Sequence, residues 1–465
     1  MRTAARGVTA ALVFAALSLL GPIAADFGRP AEAATLAPGE TTLADGLTLM
    51  VRRLHSSPTV AVEVWLSVPS DGYGPSKPGI ARLAALAVAY ESFGGSSLRD
   101  LVRTDGGQIS VTVYPAATEI AMIVPSYDGP AVIAAMLNRV FHPSIDNQAF
   151  SDARQRLAAQ QAAYQGATEL VLRDGAFAAL FSSGSYHVSP YGTSSSLGDM
   201  ASDDVRSFLS RGYTPGDAIF VVAGDVDQAA TSAYISAHAP LPAAVSAVPA
   251  SALASHPGTN MIAGAQASGS GVAMAWAGPP ISDERAATAM DFLSDYLLRP
   301  DVGTAAAAIR TQNPNLEVGG EFVTLRDPGV FYVTVTGSNV DATSTLAMVR
   351  SAIGRAVSTT MSTPDFARAL DAYRTHALRD NADSPQTIAD NYGWYFVHGA
   401  PAYSPSATDN ELAGDYYAQV ASLTPQYVTE VAKRYLTSAP AVAVVGTQRP
   451  AAAQAPRALP IRGDK

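Results

Sequence analysis

Metal-assisted chemistry needs ligand residues at spacings that this sequence does not provide. Two histidines one helical turn apart can bind a single zinc ion, and cysteine is the other common ligand. The chain has no cysteine, and no two of its seven histidines lie within a helical turn of each other: His55, His142, His187, His238, His256, His376 and His398. The sequence therefore excludes thiol catalysis and predicts no metal site.

Other catalytic signatures are also missing from the sequence. There is no G-x-S-x-G nucleophile elbow and no phosphate-binding P-loop. Gly269-Ser270-Gly271 lacks the third glycine of a dinucleotide fingerprint. The acidic pairs Asp203-Asp204 and Asp283-Glu284 stand at expected helix starts, where negative charge favours the helix dipole. None of these patterns indicates an active site.

Composition predicts a folded chain with a large core. Of 465 residues, 48% are hydrophobic and 15% are charged, so extensive disorder is not expected. The formal net charge is −10. An excess of acidic residues argues against a general surface for nucleic acid or anionic membranes, because both partners attract Lys and Arg.

The first 33 residues predict an export signal. Arg2 and Arg6 supply positive charge, Val8–Leu20 is apolar, and Ala31-Glu32-Ala33 offers a cleavage site between small residues. The alternative is a membrane anchor, but the apolar run is shorter than the roughly 20 residues that span a bilayer. We therefore expect a periplasmic or secreted protein without a membrane span once the signal is removed.

The elements that follow occur twice in the same order. The first copy reads as strand, helix, two strands, two helices and strand: Ala61–Val68, Ile80–Tyr90, Gln108–Tyr114, Glu119–Val124, Gly129–Val140, Asn147–Ala163 and Ala218–Gly224. The second copy repeats this order: Gly271–Trp276, Asp283–Leu298, Glu321–Leu325, Val330–Thr336, Ala342–Val357, Thr363–Asn381 and Ala441–Gly446. An offset of roughly 210–220 residues indicates a duplicated domain rather than a solenoid.

The duplication predicts an α+β fold built from two homologous α/β-sandwich domains. Each has an antiparallel-rich sheet with helices packed on it, and together they form a clam-like chamber. We place the domains at residues 34–238 and 260–449. An Ala-, Pro- and Ser-rich linker at residues 239–259 joins them, and residues 450–465 form a flexible tail.

The first copy resembles the N-terminal half of the pitrilysin/insulinase peptidases over residues 42–224. The resemblance rests on short motifs in the expected order: Leu43-Ala44-Asp45-Gly46-Leu47-Thr48-Leu49, Gly106-Gly107 before the strand pair, Phe141-His142-Pro143, Ser189-Pro190-Tyr191-Gly192, Tyr213-x-Pro215 and Gly224-Asp225-Val226-Asp227. With the duplication, it covers almost the whole chain after the export signal. It implies a zinc peptidase fold that encloses peptide.

The zinc motif implied by this resemblance is absent. The family carries H-x-x-E-H on its first helix, after a Gly-x-Ala that corresponds here to residues 79–81. The two ligand positions are Arg82 and Leu86, and the position of the catalytic base is Ala85. The distal glutamate should lie near Gln160 and Gln161, which are amides. The resemblance therefore implies a degenerate site that binds no zinc and no other cofactor.

The second half of the family contributes an arginine and a tyrosine to substrate binding. Arg310 fits the arginine position, but Glu317 stands at the tyrosine position. A carboxylate there would repel a developing oxyanion. Arg310 is therefore either a remaining substrate contact or, as we favour, a residue in a surface or interdomain salt bridge.

Three functional readings remain open from the sequence. The first is a non-catalytic partner subunit that forms a heterodimer with an active, zinc-bearing paralogue and still binds peptide. The second is a stand-alone peptide-binding or scaffold protein. The third is a metalloendopeptidase with an unusual site. The charge balance predicts no nucleic acid partner for any of them.

Overall fold

The computed structural model describes two sheets and their covering helices. The described residues are 40–54, 57–73, 76–92, 96–104, 106–238, 255–262, 269–300, 302–326, 328–380, 384–399 and 414–446. We call residues 40–238 the first half and residues 255–446 the second half. The predicted signal at residues 1–33 and tail at residues 450–465 lie outside the described residues, as does most of the predicted linker.

The first half contains sheet one. Its strands are β1 (Glu40–Thr42), β2 (Thr48–Arg53), β3 (Thr59–Leu66), β4 (Gln108–Tyr114), β5 (Ala117–Pro125) and β6 (Ala218–Gly224). The helices of this half are α1 (Ile80–Tyr90), α2 (Leu98–Thr104), α3 (Gly129–Phe141), α4 (Asn147–Gly166), α5 (Thr168–Leu180), α6 (Ser194–Asp199), α7 (Ser202–Gly212) and α8 (Gln228–His238). The strand order is β1-β2-β6-β3-β5-β4, which places β4 at an edge. β3 runs antiparallel to β5 and β6, and β2 runs parallel to β6.

The second half contains sheet two, with the same central arrangement. Its strands are β7 (Thr259–Ile262), β8 (Ser270–Ala277), β9 (Glu317–Val323), β10 (Val330–Gly337) and β11 (Ala441–Val445). Its helices are α9 (Glu284–Leu298), α10 (Thr304–Gln312), α11 (Ala342–Ser358), α12 (Thr363–Asp380), α13 (Pro385–Val397), α14 (Gly414–Ser422) and α15 (Pro425–Leu436). The order β7-β11-β8-β10-β9 places β9 at an edge. β8 runs antiparallel to β10 and β11, as β3 does to β5 and β6.

Each sheet is buried on both faces. In β3, Val62 and Val64 pack into the core formed with the helices of the first half. Ala61 and Trp65 point to the opposite face, because side chains alternate along a strand, and belong to a second core shared by both halves. Burial on both faces explains why β6 is apolar at every position.

The halves exchange one helix each. Helix α5 of the first half packs on β8, β10 and β11 of sheet two, while α13 of the second half packs on β3 and β6 of sheet one. The shared core therefore contains Leu172 and Ala176 of α5 beside Ala273 of β8. It contains Tyr392 of α13 beside Ile219 of β6. This exchange joins the two halves through apolar contacts.

Each exchanged helix has a glycine at its closest approach to the sheet. A Cβ atom on Gly175 of α5 would lie 2.5 Å from Cδ1 of Ile262 and 3.2 Å from Cβ of Ala443. A Cβ atom on Gly393 of α13 would lie 2.2 Å from Cδ1 of Trp65. Real Cβ atoms do not come so close to a neighbour, so the glycines allow the helices to lie directly on the sheets.

The α+β fold with two sandwich halves is confirmed, and most predicted elements lie where the sequence placed them. The bounds of α1, β4 and β6 match the predictions, and Asp283 caps α9 through a bond from the Ala286 amide to its carboxylate (3.3 Å). Strand β9 begins at Glu317, four residues before the predicted start. The sequence pattern did not predict α5 or α13, the two exchanged helices.

Residues near the predicted linker take part in the structure where they are described. Ser255 forms a β-bridge with Phe181, and β7 begins at Thr259 and pairs in parallel with β11. Within the described ranges, no helix combines the length and apolar content that crossing a bilayer requires.

Candidate functional site

The positions that correspond to the zinc motif lie together, between α1 and α4. Arg82 on α1 is 6% exposed, and its Nη1 atom donates to Oε1 of Gln160 on α4 (3.3 Å). The same nitrogen donates to the carbonyl oxygen of Val111 on edge strand β4 (3.4 Å). Burial lowers the pKa of Arg82, and Tyr191 and Asp174 oppose that shift. The guanidinium group thus connects the helices to the strand.

The loop before α6 places an aromatic ring on this arginine. The Arg82 Cζ atom lies 4.2 Å from the centroid of the Tyr191 ring, a cation–π distance, and Tyr191 stacks on Tyr164 of α4 at 4.5 Å. The loop comes this close because Gly192 has a φ of 68° and lies against the carbonyl of Pro78, where a Cβ atom would be at 2.4 Å. The Ser-Pro-Tyr-Gly motif therefore packs against the start of α1.

The residues at these positions do not fit a zinc ion. Zinc in proteins is bound by imidazole, thiolate or carboxylate groups, whereas Arg82 brings a fixed positive charge that repels Zn²⁺. Ala85 and Leu86 are 0% and 2% exposed and contribute only hydrocarbon to the first-half core. Gln161 is buried, and its Oε1 atom accepts a bond from Ser194 Oγ (3.2 Å). No hydrolytic step through zinc follows from this arrangement.

The predicted substrate residues of the second half lie apart from the cavity described below. Arg310 stands near the end of α10 and is partly buried, while Glu317 is exposed at the start of β9. Within the described part of the chain, Arg310 forms no salt bridge, so the interpretation we favoured finds no partner there. Neither residue lines the cavity between the halves.

A cavity between the halves combines the edge strands β4 and β9 with both exchanged helices. It is continuous with solvent and has a volume of about 120 Å³. Its wall includes Tyr114 from β4, Phe322 from β9, Phe177 from α5 and Trp394 from α13. Aromatic rings and edge strands around one opening are features that bind extended peptide.

The charged wall of the cavity centres on α5 and β9. Arg173 donates from Nε and Nη2 to Oδ1 of Asp174 (3.0 and 2.9 Å), and Ser189 Oγ donates to Oδ2 of the same carboxylate (3.0 Å). Burial lowers the pKa of Arg173, but Asp174, Tyr332 and Glu321 outweigh burial and raise it above its usual value. The Tyr332 hydroxyl donates to Oε1 of Glu321 (2.9 Å). Arg173 is thus held as a cation at the cavity wall.

Three carboxyl groups, two buried and one half-buried, lie beside this cavity on the face of sheet one that α13 covers. Glu63 of β3, Glu119 of β5 and Asp390 of α13 each place an oxygen atom within 4.8 Å of the others. Burial and repulsion from Asp390 and Glu119 raise the pKa of Glu63 well above its usual value. Burial, with repulsion from Asp390, raises the pKa of Glu119 to about 8, and burial raises the pKa of Asp390 to about 7.

Aromatic side chains surround these three carboxyl groups, which we call the acidic cluster. Trp65 donates from Nε1 to Oε2 of Glu63 (2.8 Å), and the Tyr114 hydroxyl donates to Oε2 of Glu119 (3.4 Å). The Trp65 ring stacks on Tyr114 with 5.6 Å between ring centroids. Trp394 packs edge-on against both rings, with centroid distances of 6.4 Å to Trp65 and 5.0 Å to Tyr114. This packing holds the acidic cluster next to the cavity opening.

Solved structures share this architecture along nearly the whole chain. A protease from Helicobacter pylori aligns with a TM-score of 0.76 and 17% identity, covering 88% of this chain and 98% of its own. A peptidase M16 inactive domain from Pseudomonas fluorescens aligns with a TM-score of 0.73 and 15% identity, covering 88% and 97%. A chain of complex III2 from Candida albicans, with Inz-5 bound, aligns with a TM-score of 0.72 and 14% identity, covering 88% of this chain and 95% of its own. At these identities the likeness shows the fold.

A family model adds sequence support to the shared architecture. Residues 199–373 match the model described as the peptidase M16 inactive domain. This part of the chain is thus similar to the M16 peptidase family. The match runs from the end of α6 into α12, so it includes most of the second half. The match supports the resemblance to pitrilysin/insulinase peptidases, and no curated protein matches this chain by sequence.

The structure contains site residues that the sequence pattern did not single out. Glu63 stands in the strand segment Val62-Glu63-Val64, where alternation predicts a solvent-facing side chain. The signal that could have found it is the neighbouring Trp65, which shares its face and is too large an apolar group to leave in water. Asp390 lies on α13, which was not predicted as a helix, so its approach to sheet one has no signal in the sequence.

Proposed function

We propose that this chain is a non-catalytic homologue of the zinc peptidases. The observation that carries this proposal is the bond between Arg82 and Gln160 (3.3 Å), which fills the place of the metal site with a guanidinium group and an amide. Ala85 leaves no general base to activate water. The chain therefore keeps the M16 fold without groups that bind zinc or activate water.

We further propose that the cavity binds an extended peptide segment. A peptide can add as a strand to a free sheet edge, and its side chains then enter neighbouring pockets. β4 and β9 are both edge strands, and Tyr114 of the first and Phe322 of the second line the opening. Arg173 offers a cation to a peptide carboxylate or carbonyl group. The aromatic wall favours apolar side chains.

The chain would act as a partner subunit of an active, zinc-bearing paralogue. A chain of the same fold is part of complex III2 from Candida albicans, so the fold can serve within a larger assembly. The predicted signal at residues 1–33 places this function in the periplasm or outside the cell. A heterodimer would combine peptide binding here with catalysis in the other subunit.

Zinc content and peptide cleavage test the central proposal together. The protein lacking residues 1–33 is purified, its zinc is counted by mass spectrometry, and cleavage of a quenched fluorescent peptide mixture is followed with and without chelator. We expect far less than one zinc per chain and no chelator-sensitive cleavage. One tightly bound zinc with chelator-sensitive turnover would overturn the proposal and establish a metalloendopeptidase with an unusual site.

Peptide binding is tested with two matched arginine variants on α13. Thr387 lines the cavity, whereas its neighbour Gln386 is exposed and does not. Thr387→Arg should weaken binding of a fluorescent peptide library at least about tenfold, while Gln386→Arg, with the same added charge, should not. Equal effects of the two variants would place the peptide elsewhere.

The partner role is tested by adding a paralogue that carries H-x-x-E-H. Faster peptide cleavage by the mixture than by the paralogue alone, together with a stable complex on gel filtration, would support the partner subunit. Peptide binding without either result would indicate the stand-alone binding or scaffold protein.

A further inference from the structure

The acidic cluster brings together residues from three elements and both halves. Glu63 and Glu119 come from adjacent strands of sheet one, and Asp390 comes from the exchanged helix α13. One oxygen atom of each lies within 4.8 Å of the other two. Glu63 is 0% exposed and Glu119 is 3% exposed, so water does not screen these groups as it would at a surface.

Neighbouring donors satisfy this cluster only in part. Glu63 accepts from Trp65 Nε1 through its Oε2 atom, and Glu119 accepts from the Tyr114 hydroxyl. The Oε1 atom of Glu63 is fully buried and has no hydrogen-bond partner. Among the described residues, no lysine, arginine or histidine forms an ion pair with Glu63, Glu119 or Asp390. A buried carboxylate oxygen without a donor, in a group that lies beside two further carboxyl groups, can be stabilised by a bound cation or by a proton shared with Asp390.

We propose that Glu63, Glu119 and Asp390 bind a divalent cation of the size of Ca²⁺. Carboxylate oxygens are the ligands that hard cations prefer, and three carboxylates supply enough charge for a divalent ion. Ca²⁺–O bonds are about 2.4 Å long, so ligand oxygens on opposite sides of Ca²⁺ are about 4.8 Å apart. The oxygen atoms of the cluster lie no more than 4.8 Å apart, which is within the span of one such ion, and the flexible coordination geometry of Ca²⁺ suits ligands that the fold holds in place.

The cation would enter from the cavity. Asp390 lines the cavity wall, and the unfilled space there is continuous with solvent, so an ion can arrive and water can complete its coordination. The Trp65 and Tyr114 donors lie in the surrounding shell and orient the carboxylates. This site lies on the face of sheet one opposite to α1, so it is distinct from the positions around Arg82.

Binding at this site would connect the halves of the protein. Two ligands belong to sheet one and the third to α13 of the second half, so the ion would hold the exchanged helix on the sheet. It would also fix Trp394, which lies one turn beyond Asp390 on α13 and lines the cavity. The cation therefore acts on the shape of the cavity, and this inference does not depend on peptide binding.

Direct titration of the full mature chain tests the site. The protein is treated with EDTA, dialysed, and titrated with Ca²⁺ by calorimetry, and with Tb³⁺ by luminescence sensitised through tryptophan. We expect one saturable site with a Kd at or below about 1 mM for Ca²⁺, and Tb³⁺ emission because Trp65 is adjacent. Calcium should also raise the melting temperature. Absence of saturable binding in the wild-type chain would overturn the proposal and leave protons alone to neutralise the cluster.

Two isosteric variants and one control locate the site. Asp390→Asn and Glu119→Gln should each weaken Ca²⁺ binding at least about tenfold and reduce Tb³⁺ emission equally. Glu321→Gln removes a buried carboxylate from the same cavity but outside the cluster, and it should leave binding unchanged. If Ca²⁺ binding survives Asp390→Asn, the ion lies at other carboxylates and the proposal is contradicted. The same follows if Glu321→Gln weakens binding as much as Asp390→Asn does. If a variant fails to fold, the wild-type titration still decides.

Discussion

The indole ring of Trp65 lies directly against the backbone of Gly393. A Cβ atom on Gly393 would come within 2.2 Å of both Cδ1 and Nε1 of that ring. Trp65 is 0% exposed and its Nε1 donates to Glu63, so the ring cannot move aside easily. A residue of the first half and a residue of the second half therefore fix how closely α13 packs on sheet one.

Substitution of Gly393 tests this close packing. Gly393→Ala should lower the free energy of unfolding by about 1–3 kcal/mol, because the added methyl group overlaps the Trp65 ring. Gly354→Ala in α11 is the matched control, since a Cβ atom there has no neighbour within 4 Å. The control should stabilise the protein by about 0.5–1 kcal/mol. Urea unfolding measures both, and a neutral Gly393→Ala would show that α13 lies further from the sheet.

Removal of the buried arginine tests the structural role of the former motif position. Arg82→Ala leaves the Gln160 side chain and the Val111 carbonyl without their donor, and should lower the free energy of unfolding by about 1–3 kcal/mol. Arg368→Ala is the control, because Arg368 is exposed and pairs with Asp365 on the surface of α12. Its effect should stay within about 0.5 kcal/mol. Equal losses in chemical denaturation would argue against a special role for Arg82.

The acidic cluster predicts that stability falls as pH rises when divalent cations are absent. Glu119 and Asp390 have pKa values of about 8 and about 7 in the folded protein, above those of free carboxyl groups. The free energy of unfolding that these two protonated groups contribute is fully present below about pH 4 and is lost as pH rises to about 8. Glu119→Gln should flatten this slope in urea midpoints measured with EDTA. A slope that the variant does not change would exclude Glu119 as its source.

His398 predicts a loss of stability on the acid side. Burial lowers its pKa to about 4, and its Nδ1 atom lies 2.8 Å from the carbonyl oxygen of Trp394. In the unfolded chain the imidazole takes up a proton below about pH 6.5, whereas in the folded protein it stays neutral. The stability that neutral His398 contributes is therefore present above about pH 6.5 and is lost as pH falls to about 4. His398→Gln should reduce the acid-side loss in thermal melts between about pH 6.5 and 4.5. Melts that lose as much stability in the variant would assign the effect to another group.

Local patterns predicted several elements with their exact bounds. Helix α1 and strands β4 and β6 have the predicted bounds, because apolar periodicity and glycine breaks are local signals. The exchanged helices α5 and α13 were not predicted. Helix α13 is buried on several sides and has no single apolar stripe, whereas α5 carries Val171, Leu172 and Ala176 at helical spacing, a local signal that the prediction did not use. Strand β9 began earlier than predicted because Gly319 and Gly320 resemble a break.

The sequence by itself determined which chemistry is missing from the zinc motif. Arg82, Ala85 and Leu86 cannot bind or activate zinc in any conformation, because ligand chemistry belongs to the side chain itself. The duplicated order of strands and helices also determined the two-sandwich fold. These conclusions depend on residue types and on spacing along the chain.

Only the tertiary structure decided where the buried charges meet. Strand alternation assigns Glu63 to one face of β3 but does not say what covers that face. Asp390 is 327 residues further along the chain and reaches Glu63 because α13 crosses to sheet one. Burial and electrostatic coupling come from contacts between distant segments, and no local pattern encodes them.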